Sequence, residues 1–158
     1  MKTRLLVGIV LLLSLATAVM AADDPFVGTW KLNVEKSSIS VGEIRYETRF
    51  TVEARENGQV VKDAVTNDGQ AIPDDLVVTF DGKDYPLPSR GKQQRVITHA
   101  ETRIDVNTIE VVNKIGGAKI VGSFRDVISE DGGTLTRTVN ALTARGENLT
   151  SVLLYEKE

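Results

Sequence analysis

Phe26-Val27-Gly28-Thr29-Trp30-Lys31-Leu32-Asn33 decides how the rest of the chain is read. In an extended segment successive side chains point to opposite faces. Phe26, Gly28, Trp30 and Leu32 then share one face, and Val27, Thr29, Lys31 and Asn33 the other. The stretch holds the chain's single tryptophan. Gly28, two positions before it, leaves room for something to lie across the strand. A first strand with a buried aromatic face is therefore expected here.

Working outward, positions 34–42 form a polar connection with one turn of helix expected at 34–38. Beyond it comes the cleanest alternation in the sequence. Ile44, Tyr46, Thr48, Phe50, Val52 and Ala54 interleave with Glu43, Arg45, Glu47, Arg49, Thr51, Glu53 and Arg55. This predicts a long strand with one buried face and one charged face in water. Glu56-Asn57-Gly58 is a hairpin turn. Further strands are expected at 59–66, 71–80, 92–99, 102–106, 108–115, 118–129, 134–142 and 149–157, each reversed by a turn rich in Gly, Asp or Asn. Pro73 forbids a ladder bond near the start of the run at 71–80. No segment is long enough for a parallel crossover. The expected fold is all-β: an antiparallel up-and-down β-barrel of about 8–10 strands, closed to remove its edges, with a two-sheet sandwich as the rival.

Ahead of this domain lies a segment that reads as a processing signal. Lys2 and Arg4 precede a nearly unbroken apolar run from Leu5 to Leu13, and small residues follow at 16–22. The run is too short for a bilayer core of roughly 30 Å. A signal peptide over 1–22 is expected, cut after Ala21 or Ala22, leaving 23–158 as one barrel domain and no stable membrane anchor. The chain has no cysteine, so neither a lipoprotein anchor nor a disulfide framework is expected. A cysteine-free exported domain suits a bacterial periplasm or the extracellular space. The formal charge of −3 becomes −5 once Lys2 and Arg4 are removed, which argues against nucleic acid as a partner.

Gly28-Thr29-Trp30 resembles the G-x-W signature of lipocalins, and the wider stretch from Phe26 to Leu32 resembles the opening of fatty-acid-binding proteins. Tyr155-Glu156-Lys157 resembles the ending of the latter family. Together with the serial hairpins, these motifs make the chain similar to the calycin superfamily, in the manner of a small exported bacterial lipocalin-like protein. The resemblance implies a barrel that binds a small hydrophobic molecule, with Trp30 and Gly28 as a structural plug at its closed end. Two features depart from the fatty-acid-binding pattern. Positions 34–42 are too few for a helical lid, and the positions matching that family's Arg-x-Tyr pair are Leu153 and Tyr155.

Arg137 is the leading candidate for chemistry. It shares a face with Leu135, Val139 and Ala141, so an inward apolar face carries the guanidinium inward too. A buried guanidinium needs an anion or several acceptors. Three roles are open: an anchor for a ligand carboxylate beside Tyr155, an internal pair with Asp126, or, as the resemblance to lipocalins implies, the basic side chain packed over the signature Trp30 (a place Lys157 also suits). Tyr46, Phe50 and Phe124 complete the expected ligand-binding set. His99, the lone histidine, reads as a surface residue at a strand end rather than a haem ligand. No cofactor is expected, and no metal, since zinc would have to rely on carboxylates. No nucleophile motif or phosphate loop is present. The expectation is a non-catalytic, exported binder of a small apolar or amphipathic molecule. A filled-barrel interaction or inhibitor module and an enzyme acting on a lipid-like substrate are the alternatives.

Overall fold

The computed structural model describes residues 24–40, 46–72, 74–87, 97–143 and 145–158. The expected signal peptide lies outside them. Ten strands form one antiparallel sheet: β1 (Gly28–Leu32), β2 (Glu47–Arg55), β3 (Gly58–Thr66), β4 (Leu76–Val78), β5 (Tyr85–Pro86), β6 (Ile97–Asp105), β7 (Thr108–Ile115), β8 (Lys119–Ile128), β9 (Thr134–Leu142) and β10 (Asn148–Lys157). Their order across the sheet is β4-β3-β2-β1-β10-β9-β8-β7-β6-β5. Every neighbour is a chain neighbour except β1 and β10, which join the two ends of the meander. It is a single curled sheet of barrel type rather than a sandwich.

The joint is made by Trp30–Leu32 near the start of the domain and Tyr155–Lys157 at its end. Trp30 faces Lys157, Lys31 faces Glu156, and Leu32 faces Tyr155. Trp30 is 0% exposed, and its Nε1 donates to the Phe26 carbonyl at 2.8 Å. The Lys157 ammonium lies 5.2 Å from the centre of the Trp30 ring. Beside it, Asp24 accepts two bonds from Arg103, at 3.2 and 2.7 Å, and one from Gln59 at 2.6 Å. The Arg103 guanidinium sits between the rings of Phe26 and Phe80, at 5.1 and 4.5 Å. This end of the barrel is thus shut by aromatic rings with basic side chains laid over them.

Gly28 is required there. Its φ is +141°, and a Cβ on it would come within 2.4 Å of Lys157 Cε. Gly28→Ala is expected to cost about 2 kcal/mol, from backbone strain and displacement of Lys157. Urea unfolding checks this: adding Lys157→Ala should recover the contact part only, because the strain stays.

Beyond β1 the chain continues along β10 instead of forming the helical turn expected at 34–38. Residues 34–36 make a turn, and Ser38 then bridges Val152. Ser37 and Ser40 hydrogen-bond to β10: the Leu154 N–H donates to Ser37 Oγ at 2.9 Å, and the Ser40 backbone N–H to Ser151 Oγ at 2.9 Å.

Three further expectations are corrected. The strand expected at 71–80 shrinks to Leu76–Val78, with Ala71 bridged singly to Val65. Pro73 lies outside the described residues, and Phe80 at φ +53° ends the extended backbone. The two strands expected at 92–99 and 102–106 are one, β6, running through His99, Ala100 and Glu101 with His99 opposite Asn113. Finally, β2 does not alternate throughout. Its pairing with β3 slips between Glu47 and Arg49 and again between Arg49 and Thr51. The two slips have opposite sense and cancel, so the register is normal on either side. Asp63 on β3 takes up the distortion at φ +50°, a conformation that aspartate tolerates better than most residues.

Candidate ligand-binding site

The inner face of the sheet surrounds a cavity of about 790 Å³. Much of its wall is apolar, including Phe50 and Val52 of β2, Val61 of β3, Val111 of β7, Phe124 of β8 and Val139 of β9. These are the inward positions of a period-two pattern, which is why so much of the lining was visible as alternation. Within that wall sits a polar cluster.

Arg137 is its centre. Its partner across the ladder is Asp126. Directly opposed residues point to the same face, so the two side chains stand together inside the sheet. Arg137 Nε donates to Asp126 Oδ1 at 2.8 Å and Nη2 to Oδ2 at 2.7 Å, a two-pronged pair. Nη1 donates to Glu47 Oε2 at 3.1 Å. The guanidinium also lies 4.4 Å from the Phe124 ring centre and 5.2 Å from that of Phe50. Burial works most strongly against the charged guanidinium, but Asp126, Tyr155 and Glu47 together outweigh it, and the pKa stands above the ordinary arginine value. Of the three roles open to Arg137, the geometry shows the internal pair, and Lys157 takes the place over Trp30.

Among the other candidates, Tyr46, Phe50 and Phe124 line the cavity beside Arg137. Tyr155 stands behind the wall, fully buried. Its ring meets Phe50 edge-on at 5.2 Å, and its hydroxyl donates to the Glu47 carbonyl at 2.9 Å. Burial pushes its pKa above the usual tyrosine value. Trp30 and Gly28 lie at the shut end, as described.

The cluster also contains residues placed elsewhere by the alternation. Glu47 was expected on the water face; the first β2 slip lets it reach Arg137. His99 was expected at the surface; it is 3% exposed and lines the cavity. Burial lowers its pKa, against the pull of Asp84, so the imidazole is neutral near pH 7. His99 Nε2 is 3.6 Å from Glu101 Oε1, beyond hydrogen-bond length, and Nδ1 has no hydrogen-bond partner. Glu101 follows two positions later on the same face, with its side chain 11% exposed. Burial pushes its pKa up to about 7, Asp126 adds to the rise, and Arg137 opposes it. A single strand through 97–105 would have aligned His99, Glu101 and Arg103 on one face, and that is the signal by which they could have been found. Among the described residues, no group of three or more His, Cys, Asp or Glu side chains is disposed to hold a metal ion.

No protein-family model and no curated protein matches the chain. Solved structures do. A mutant of the fluorescent protein UnaG is similar over 85% of this chain and 96% of its own, with TM-score 0.57 and 17% identity. A fatty-acid-binding protein of Schistosoma mansoni, solved with arachidonic acid, is similar over the same shares, with TM-score 0.52 and 16% identity. At such identities the similarity is one of fold. The chain therefore has the calycin-type β-barrel fold that its two terminal motifs imply.

Proposed function

We propose that this protein is an exported, non-catalytic carrier of a small apolar or amphipathic molecule. The observation behind this reading is the cavity of about 790 Å³. Ligand sites of small molecules commonly span about 300–1,000 Å³ with mainly apolar walls and a few polar groups, and this cavity fits on each count. A barrel serving only as an interaction module has no need of such a space. A catalytic reading has less behind it, because Arg137 is engaged with Asp126 and Glu47, and the Tyr155 hydroxyl with a backbone carbonyl. The structure of the Schistosoma mansoni protein with arachidonic acid adds a precedent for an amphipathic ligand on this fold. Export rests on the leader: a basic start, a short apolar run and small residues at the expected cut.

Native mass spectrometry of the mature protein from its own envelope, before and after solvent extraction, tests the reading. A mass removed by solvent supports it and gives the ligand class. A second test uses the neutral dye Nile red. Val139 lines the cavity, and Val139→Trp should weaken dye binding at least tenfold by filling the space. Thr138→Trp, on the opposite face of β9, should leave it within twofold. Equal affinities in the two variants would place the dye outside the barrel and count against the reading.

A further inference from the structure

We infer that Glu101 makes ligand retention depend on pH: while its carboxyl is neutral the cavity keeps an uncharged apolar molecule, and when it ionises the molecule is released. This adds a control to the carrier site above and rests on that reading.

The geometry begins with one rung of the sheet. Glu101 of β6 is opposite Val111, Val111 is opposite Phe124, and Phe124 is opposite Val139. Directly opposed side chains share a face, and all four residues line the cavity. Glu101 is thus a carboxyl set in an otherwise apolar rung, with its side chain 11% exposed. Among the described residues no cation pairs with it. Arg137 of β9 acts on it from the next rung, but Asp126 of β8 takes two N–H groups of that guanidinium and Glu47 of β2 a third. Arg103, two positions on along β6, is held by Asp24. On its own strand His99 Nε2 lies 3.6 Å away, and that imidazole is neutral near pH 7. Asp81 and Tyr85 share a small recess with Glu101, yet the Tyr85 hydroxyl donates to Asp81 at 2.8 Å and Lys83 pairs with the same carboxylate. Asp84 is paired with Lys114. None of these groups offers a countercharge, so an ionised Glu101 depends on water admitted to the cavity. A neutral apolar molecule in the same space displaces that water and leaves a carboxylate without hydration. Ligand and negative charge therefore oppose each other: binding draws a proton onto Glu101, and loss of the proton weakens binding. Burial and Asp126, against Arg137, already hold the pKa near 7, so the exchange falls close to neutrality.

The test is titration with Nile red, an uncharged dye, from pH 6 to pH 9. Wild-type affinity is expected to fall about tenfold or more across this range, mostly above pH 7. Glu101→Gln keeps the shape of the neutral acid, and its affinity should stay level within about twofold from pH 6 to pH 9. Proton uptake is a second readout, taken in weakly buffered solution at pH 8. Dye binding should draw protons into the wild type, approaching one per dye, and none into Glu101→Gln. If the wild type binds equally at pH 6 and pH 9, if both proteins weaken alike, or if binding at pH 8 takes up no proton, the inference is overturned and the carrier reading stands. If neither protein binds the dye at any pH, the carrier reading fails and the inference with it.

Discussion

Arg137→Met is expected to lower stability by about 3–5 kcal/mol at pH 7, which makes it among the most damaging single changes in the barrel. The substitution roughly conserves length and leaves the Phe50 and Phe124 rings a flexible apolar neighbour. What it removes is the countercharge. Asp126 loses a two-pronged partner and Glu47 another, while both still line the cavity. An uncompensated buried carboxylate escapes its penalty by taking a proton, so the defect should shrink as the pH falls towards 5. Urea unfolding at pH 5 and pH 8 measures this. Adding Asp126→Leu should restore much of the loss, because removing both partners of a buried pair is far milder than removing one. If Arg137→Met costs the same at both pH values, the loss is one of packing and the charge cluster is not what Arg137 holds together.

The frame of this protein was legible because its strongest signals were local and periodic. Trp30 with Gly28 at one end of the chain and Tyr155 to Lys157 at the other were motifs in sequence; in space they are register partners across β1 and β10. A period-two pattern with Gly, Asn and Asp at the reversals specifies a meander, and the alternation of Leu135, Arg137 and Val139 placed Arg137 inside. The polar half of the cavity was less legible, for two physical reasons. On β6 the inward face carries polar residues among apolar ones: His99 and Glu101 line the cavity with Ile97, and Arg103 reaches Asp24 at the shut end, while Ile104 is left exposed. A rule that sends apolar residues in and charges out reads such a strand backwards or breaks it, as happened at Ala100. On β2 a pair of opposed slips breaks the period around Thr48 and Arg49 and leaves Glu47 facing Arg137. No composition signal marks a bulge whose effect on register cancels two residues later. Both failures fall in the cavity wall, where patterning for stability gives way to polar groups that the core does not need.

Glu101 makes the stability of this barrel depend on pH in a direction opposite to that of a salt-bridged carboxylate. Its pKa is about 7 in the folded protein against an ordinary value of 4.5. Between those two values the unfolded chain has released the proton and the folded chain still holds it, so the folded state binds more protons and stability falls as pH rises. The contribution is fully present below about pH 4.5 and gone once the pH has passed through 7. At 1.36 kcal/mol for each pKa unit the loss comes to about 3 kcal/mol. His99 works the other way. Its folded pKa is depressed, so its contribution is present above 6.5 and lost as pH falls through the folded value. The wild-type curve is therefore a sum of opposed slopes, and the difference from Glu101→Gln isolates one of them. The amide keeps the shape of the protonated acid and does not ionise. Glu101→Gln should thus match the wild type within about 1 kcal/mol at pH 4.5 and exceed it by about 3 kcal/mol at pH 8.5, with urea midpoints diverging mainly between pH 5 and pH 8. Parallel curves would mean that Glu101 ionises normally in the folded barrel.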